Sequence, residues 1–257
     1  MVGFGFFRER REGFAPRTPA AALRALGLGV VPEESFVYLS TSQKPLDEEP
    51  FDLDEIERVL ARKDLDLETN ILMKGILEKL VSRGEQETSL FGAEGINLLE
   101  ARYVDRIEEL RLFIKDQGAA PGAAFSPKTV EAMRRMARWY YELALLHGKT
   151  RSIKTFYLKE AYSRFRDSMQ GPVGMTGPQL RLFVGVLVGL GMYDQAAHVI
   201  AGAPDASDPE LLLLRAEVAY HRRDYAEVVR ACRERSESGA AILPGERRLI
   251  SYWLGKP

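Results

Sequence analysis

The chain has 257 residues, 46% of them hydrophobic, with 36 basic and 37 acidic side chains and a net charge of −1. That balance supports a folded protein with a sizeable core and excludes an extended polyelectrolyte, and global charge selects no partner. A single cysteine, Cys232, excludes an internal disulfide and a multi-thiolate metal site and fits a reducing compartment, while His147, His198 and His221 stand too far apart in sequence to suggest a metal centre or a nucleophile–His relay.

Residues 1–18 gather Phe4, Phe6, Phe7 and Phe14 around Arg8, Arg10 and Arg11. Rings at an interface with guanidinium groups on headgroups would make this arm membrane-proximal. An arm whose rings pack on the first helix, or a tail, fits the same residues. The rings precede the charges, which is the wrong order for a secretory signal. No run reaches the ~18–20 apolar residues needed to span a bilayer; Leu180–Leu190 is too short and is interrupted by Gly185 and Gly189. Residues 19–28 read as a short helix stopped at Gly27-Leu28-Gly29. The connection Val30–Pro50 contains Phe36-Val37-Tyr38-Leu39-Ser40, the one convincing strand-like run. It has no sheet partner, so it is expected to lie extended in a groove or to be added to a partner's strand.

The helical body opens at Phe51. Ile56, Val59 and Leu60 are its first inward stripe, and Asp52 or Asp54 its cap. Asp66 caps the next helix, with Ile71, Leu72, Ile76, Leu77 and Leu80 inward and Arg83-Gly84 as the stop. The longest helix spans about Gln86 to Asp116, with Ile96, Leu99, Tyr103, Ile107, Leu110 and Ile114 on one face. Gly92, Ala93 and Gly95 permit a close crossing in its first half. Gln117–Phe125 is a Gly/Ala/Pro linker and the best candidate boundary. Ser126-Pro127 then gives a cap followed by Pro at the first helical position. The helix 127–147 carries Met133, Met136, Ala137, Tyr140, Tyr141 and Ala144; residues 152–169 follow with Phe156, Leu158, Ala161, Tyr162 and Phe165.

From Leu211 to Arg235 the chain reads as two antiparallel helices around a turn at Arg222-Arg223-Asp224. Small Ala216 admits a close second helix, which Tyr225 opens and Val228, Val229 and Cys232 continue. Leu180–Ile200 repeats the design, with its turn at Gly191-Met192-Tyr193-Asp194 and Tyr193 standing 32 positions before Tyr225. This small-residue, turn-plus-Tyr pattern resembles the tetratricopeptide (TPR) unit, whose period is 34. One such unit cannot bury its apolar face alone, so neighbours are expected. The pair over 66–116 resembles a HEAT-like hairpin. Residues 245–254, with Leu249, Ile250, Tyr252 and Trp253, are expected to cap the stack. The expected fold is an all-α solenoid of about ten helices: an arm over 1–50, a HEAT-like part over 51–117, and TPR-like hairpins over 126–257.

No motif carries chemistry. Gly148-Lys149-Thr150 lacks the upstream glycine of a phosphate loop, since position 143 is Leu, and a helix precedes it. The acids around Asp47 and Asp54 lack the spacing of a calcium loop. No cofactor is implied, and an enzyme built on a helical scaffold would need a converging acid, base or nucleophile that the sequence does not offer. Charge is asymmetric instead: Lys44–Asn70 has 10 acids and 4 bases, whereas Ser126–Gln170 has 10 bases and 4 acids interleaved with aromatics. Arg134, Arg138, Arg151, Lys154, Lys159 and Arg164 are the candidate partner-binding residues. This basic face is a solvated surface over an aromatic core, or it binds an acidic partner segment or anionic headgroups. No recognised nucleic-acid motif accompanies it.

Three stretches, 89–110 (SLFGAEGINLLEARYVDRIEEL), 137–168 (ARWYYELALLHGKTRSIKTFYLKEAYSRFRDS) and 213–229 (LLRAEVAYHRRDYAEVV), together resemble the helical region of the PelE component of Pel exopolysaccharide machinery, over roughly residues 66–235. The resemblance implies a non-catalytic scaffold at the cytoplasmic face of the inner membrane. It implies assembly with a glycosyltransferase, a membrane transporter and a cyclic-di-GMP receptor. The family carries membrane spans before its helical region, and this sequence shows none, which makes residues 1–18 a candidate juxtamembrane stub.

Overall fold

The computed structural model describes residues 53–62, 65–82, 85–117, 125–205, 207–242 and 244–255. The arm at 1–18, the helix expected at 19–28 and the Phe36–Ser40 run lie outside the described residues. What is described is all-helical: α1 (Leu53–Leu60), α2 (Leu67–Ser82), α3 (Gln86–Asp116), α4 (Pro127–Leu146), α5 (Arg151–Ser168), α6 (Gly177–Gly189), α7 (Tyr193–Ala201), α8 (Pro209–His221), α9 (Tyr225–Glu237) and α10 (Pro244–Leu254). No described helix is long and apolar enough to cross a membrane. The chain divides into two compact units within α3, after Ala101, with the short piece Leu243–Gly245 assigned to the first.

In the first unit, Ile56, Val59 and Leu60 of α1 meet Met73, Ile76, Leu77 and Leu80 of α2 and Leu99 of α3. Asp66 caps α2, its carboxylate accepting from Thr69 N at 2.8 Å. The expected inward set on α2 is corrected at one position. Ile71 is 41% exposed, and Met73, two residues on, takes the core place. Position 71 lies on the face of α2 opposite the buried stripe of 69, 73, 76, 77 and 80, so a helix that buries that stripe turns Ile71 outward. The close crossing is confirmed: a Cβ on Gly92 would stand 2.8 Å from Leu77 O, and one on Gly95 2.7 Å from Leu77 Cδ2. Lys74, buried, reaches Glu100 at 3.0 Å across the same pair.

The second unit begins with the later half of α3, where Tyr103 and Ile107 pack with Met136, Leu143 and Leu146 of α4. Ser126 caps α4 through Thr129 N at 3.1 Å, with Pro127 in the first turn. Helices α4–α5, α6–α7 and α8–α9 form three successive antiparallel hairpins. The first helix of each packs on the first helix of the next (α4 on α6, α6 on α8), and the second helix of each packs on the following first helix (α5 on α6, α7 on α8). Glycines admit this in α6: a Cβ on Gly185 would stand 2.7 Å from Tyr141 Oη, and one on Gly189 2.9 Å from Leu158 Cδ1.

One turn recurs three times at an interval of 32 residues. At the end of α6, Gly191 has φ +75°, Gly191 N donates to Val188 O at 2.9 Å and Met192 N to Leu187 O at 2.8 Å. At the end of α8, Arg223 has φ +62°, Arg223 N donates to Tyr220 O at 2.9 Å and Asp224 N to Ala219 O at 2.9 Å. At the end of α10, Gly255 has φ +63°, and its N donates to Tyr252 O at 3.4 Å. Such left-handed closures satisfy the last carbonyls of a helix. Ring stacking keeps the same register: Tyr193 stacks on His221 at 4.4 Å, and Tyr225 stacks on Trp253 at 5.9 Å. By this register α10 occupies the place of a first helix. Its buried Ile250 corresponds to buried Val218, but Arg248 and Ser251 stand where α8 presents Ala216 and Ala219 to its second helix.

Candidate functional site

The candidate basic residues sit on α4 and α5, and the structure sorts them into three groups. Arg134 is corrected out of the exposed set. It is 4% exposed, and its guanidinium donates to Gly174 O at 2.8 Å, to Gln179 Oε1 at 3.1 Å, to Ser168 Oγ at 3.4 Å and to Val173 O. Burial pulls its pKa below the free value, and Glu131 pulls it back. Arg134 therefore ties the connection between α5 and α6 to α4. The connections before α8 and α10 are held in the same way. Arg181 pairs with Asp208 and, at 2.8 Å, with Glu210. Arg235, also buried, donates to Ala241 O and Glu246 at 2.7 Å each.

Arg138 and Arg164 are taken up locally. Arg138 donates to Glu142, one turn on, at 2.7 Å, and its guanidinium lies 5.4 Å from the Trp139 ring, which Arg106 approaches from α3 at 4.6 Å. Arg164 lies between Glu160 at 3.9 Å and Asp167 at 3.5 Å. Lys154 is half-buried, on the side of α5 shared with buried Leu158 and Ala161.

Arg151 and Lys159 remain exposed, and they share the solvent face of α5 with Phe156 and Arg166. Phe156, named from sequence beside Leu158, Ala161, Tyr162 and Phe165, is 56% exposed. It lies two residues before Leu158, so a helix that buries Leu158, Ala161 and Phe165 turns position 156 outward. That spacing is the signal by which the outward face was findable. Arg151, Ser152, Thr155, Phe156 and Lys159 line a shallow basin of about 560 Å³. At the start of α5, Thr150 makes no side-chain cap bond and the first turn holds no acid.

A second groove, of about 870 Å³, runs between α3 and α4 and is lined by Arg106, Leu110, Phe113, Lys128, Arg135 and Trp139 among others. Its charges are mixed, because Glu109 and Glu131 also line it. Cys232 is buried between α8 and α9, and burial pushes its thiol pKa up, as for a core residue. No group of three or more His, Cys, Asp or Glu side chains among the described residues is placed to hold a metal ion. The membrane-proximal candidates Phe4, Phe6, Phe7, Arg8, Arg10 and Arg11 lie outside the described residues. No family model, no curated protein and no solved structure matches this chain.

Proposed function

We propose that the chain is a non-catalytic protein–protein interaction scaffold, a solenoid of TPR-like hairpins behind a HEAT-like first part. The observation that carries this reading is the 32-residue recurrence of the left-handed turn at Gly191, Arg223 and Gly255, together with first-on-first packing of successive hairpins. Stacked hairpins expose long helix faces that suit partner helices or extended segments. The resemblance to the PelE helical region supports a more specific role in a Pel-type exopolysaccharide synthesis and export complex. In that role the chain works at the cytoplasmic face of the inner membrane, beside a glycosyltransferase and inner-membrane subunits.

The test is capture of partners from a lysate of the source cell on the tagged full chain, at low and moderate salt, with the bound proteins identified. Recovery of a polymer-forming glycosyltransferase with membrane subunits is the expected result. Recovery of unrelated clients would leave a general adaptor and remove the exopolysaccharide assignment. Retention of no protein, with flotation on anionic vesicles, would replace the scaffold with a peripheral membrane-surface binder.

A further inference from the structure

We infer that the solvent face of α5 is a docking surface for an extended, acidic partner segment in which one apolar side chain stands between two carboxylates. The inference rests on the scaffold reading and names the partner class of its exposed face. Several arginines elsewhere in this unit are matched to acids of the same chain. Arg181 faces Asp208 and Glu210, Arg215 faces Glu227 and Glu234, Arg222 faces Asp194, and Arg235 faces Glu246. On α5 the acids are used on the flank, where Arg164 lies between Glu160 and Asp167. Arg151 and Lys159 form no ion pair among the described residues and stand on either side of Phe156, an exposed ring at the edge of an open basin. Two uncompensated cations flanking an uncovered ring are complementary to an acid–apolar–acid segment.

Helix geometry sets the spacing of that segment. Positions 151 and 159 are eight residues apart, which at 1.5 Å per residue separates them by ~12 Å along the helix. An extended chain advances ~3.3 Å per residue and presents alternate side chains on one side, so ~12 Å corresponds to a step of about four residues. The recognised pattern is therefore acid–x–apolar–x–acid, the apolar residue lying on Phe156 and the acids on Arg151 and Lys159. A concave basin beside a single ring suits a seated side chain better than a bilayer, whose binding faces insert several apolar groups.

The experiment is selection of a random 12-residue peptide display library on the folded full chain, followed by affinity measurements on the selected peptides. The expected consensus is acid–x–apolar–x–acid. Arg151→Glu with Lys159→Glu weakens binding tenfold or more, and Phe156→Ser relaxes the apolar preference while leaving the requirement for acids. All three side chains are exposed, and unchanged thermal unfolding of the variants confirms that the fold is kept. Selected peptides of another composition, or peptides that bind the double variant as well as the parent, overturn the inference and leave the scaffold reading standing. Recovery of no peptide, with co-sedimentation on vesicles containing ~30% anionic lipid that the double variant abolishes, also overturns it and makes the face a membrane contact. Failure of the scaffold reading shows separately, as capture of no protein from the lysate.

Discussion

The hairpins α4–α5 and α8–α9 share a backbone plan and differ in how they use size and charge. In α8–α9 the contact is small against small: Ala216 and Ala219 meet Val228, Ala231 and Cys232. The helices are then close enough for Arg215 of α8 to reach Glu227 at 2.6 Å and Glu234 at 2.8 Å on α9. In α4–α5 small Ala137 and Ala161 are fully buried as well, and large rings add to the packing. Tyr140 stacks on Tyr157 at 6.2 Å, and Phe165 lies 5.3 Å from Phe183 of α6. Arg138 and Arg164 pair with acids of their own helices, and Arg151 and Lys159 stay on the outer face of α5. The α8–α9 hairpin joins its two helices through Arg215, whereas α4–α5 leaves Arg151 and Lys159 open to others.

Five substitutions break or sharpen this contrast. Phe165→Ala should cost most, about 3–5 kcal/mol in urea unfolding, because a fully buried ring between α5 and α6 leaves a cavity. Ala216→Leu should cost about 1–3 kcal/mol by forcing α8 and α9 apart, whereas a loss under ~0.5 kcal/mol would show that the small residues do not set their spacing. Arg215→Met should cost about 1 kcal/mol at neutral pH, since both pairs are partly exposed.

The Arg215 effect carries a pH signature. The hydrogen bond from Arg215 holds the Glu234 carboxyl below its ordinary value, against a smaller opposing effect of burial. A depressed carboxyl stabilises the fold above its unfolded pKa of ~4.3, and that contribution is lost as pH falls through the lower folded value. The deficit of Arg215→Met relative to the parent should therefore shrink on acidification toward about pH 3. A deficit that is constant with pH would assign the loss to packing of the Arg215 stem.

The two smallest effects are gains. Arg223 holds a left-handed conformation where the equivalent positions, 191 and 255, are glycine. Arg223→Gly should raise stability by about 0.5–1 kcal/mol, the relief of backbone strain exceeding the added freedom of the unfolded chain. Thr150→Asp should add about 0.5 kcal/mol by supplying the missing cap and an acid at the helix start. The same change should weaken any acidic ligand of the α5 face, measured with the selected peptides.

Much of the fold was legible before any coordinates. The caps at Ser126 and Asp66 and the turns at 191 and 223 rest on interactions between residues near in sequence, and the stripes of α1 and α3 and the glycines at 92 and 95 show in residue spacing and size. The candidate surface was legible only in part. Positions 134, 138, 151, 154, 159 and 164 look alike as basic residues on two amphipathic helices. The structure buries Arg134 against the carbonyls of residues 173 and 174 and turns Phe156 to solvent.

Periodicity, capping and turn chemistry, read from the sequence alone, determined that this chain is helical and where most described helices begin and end. These are decided within a turn or two of each residue, by local hydrogen bonding and side-chain direction. Only the tertiary structure decided which cations are structural and which face outward. The burial of the Arg134 guanidinium depends on acceptors brought from about forty residues away, and no local spacing records that they will be waiting for it there.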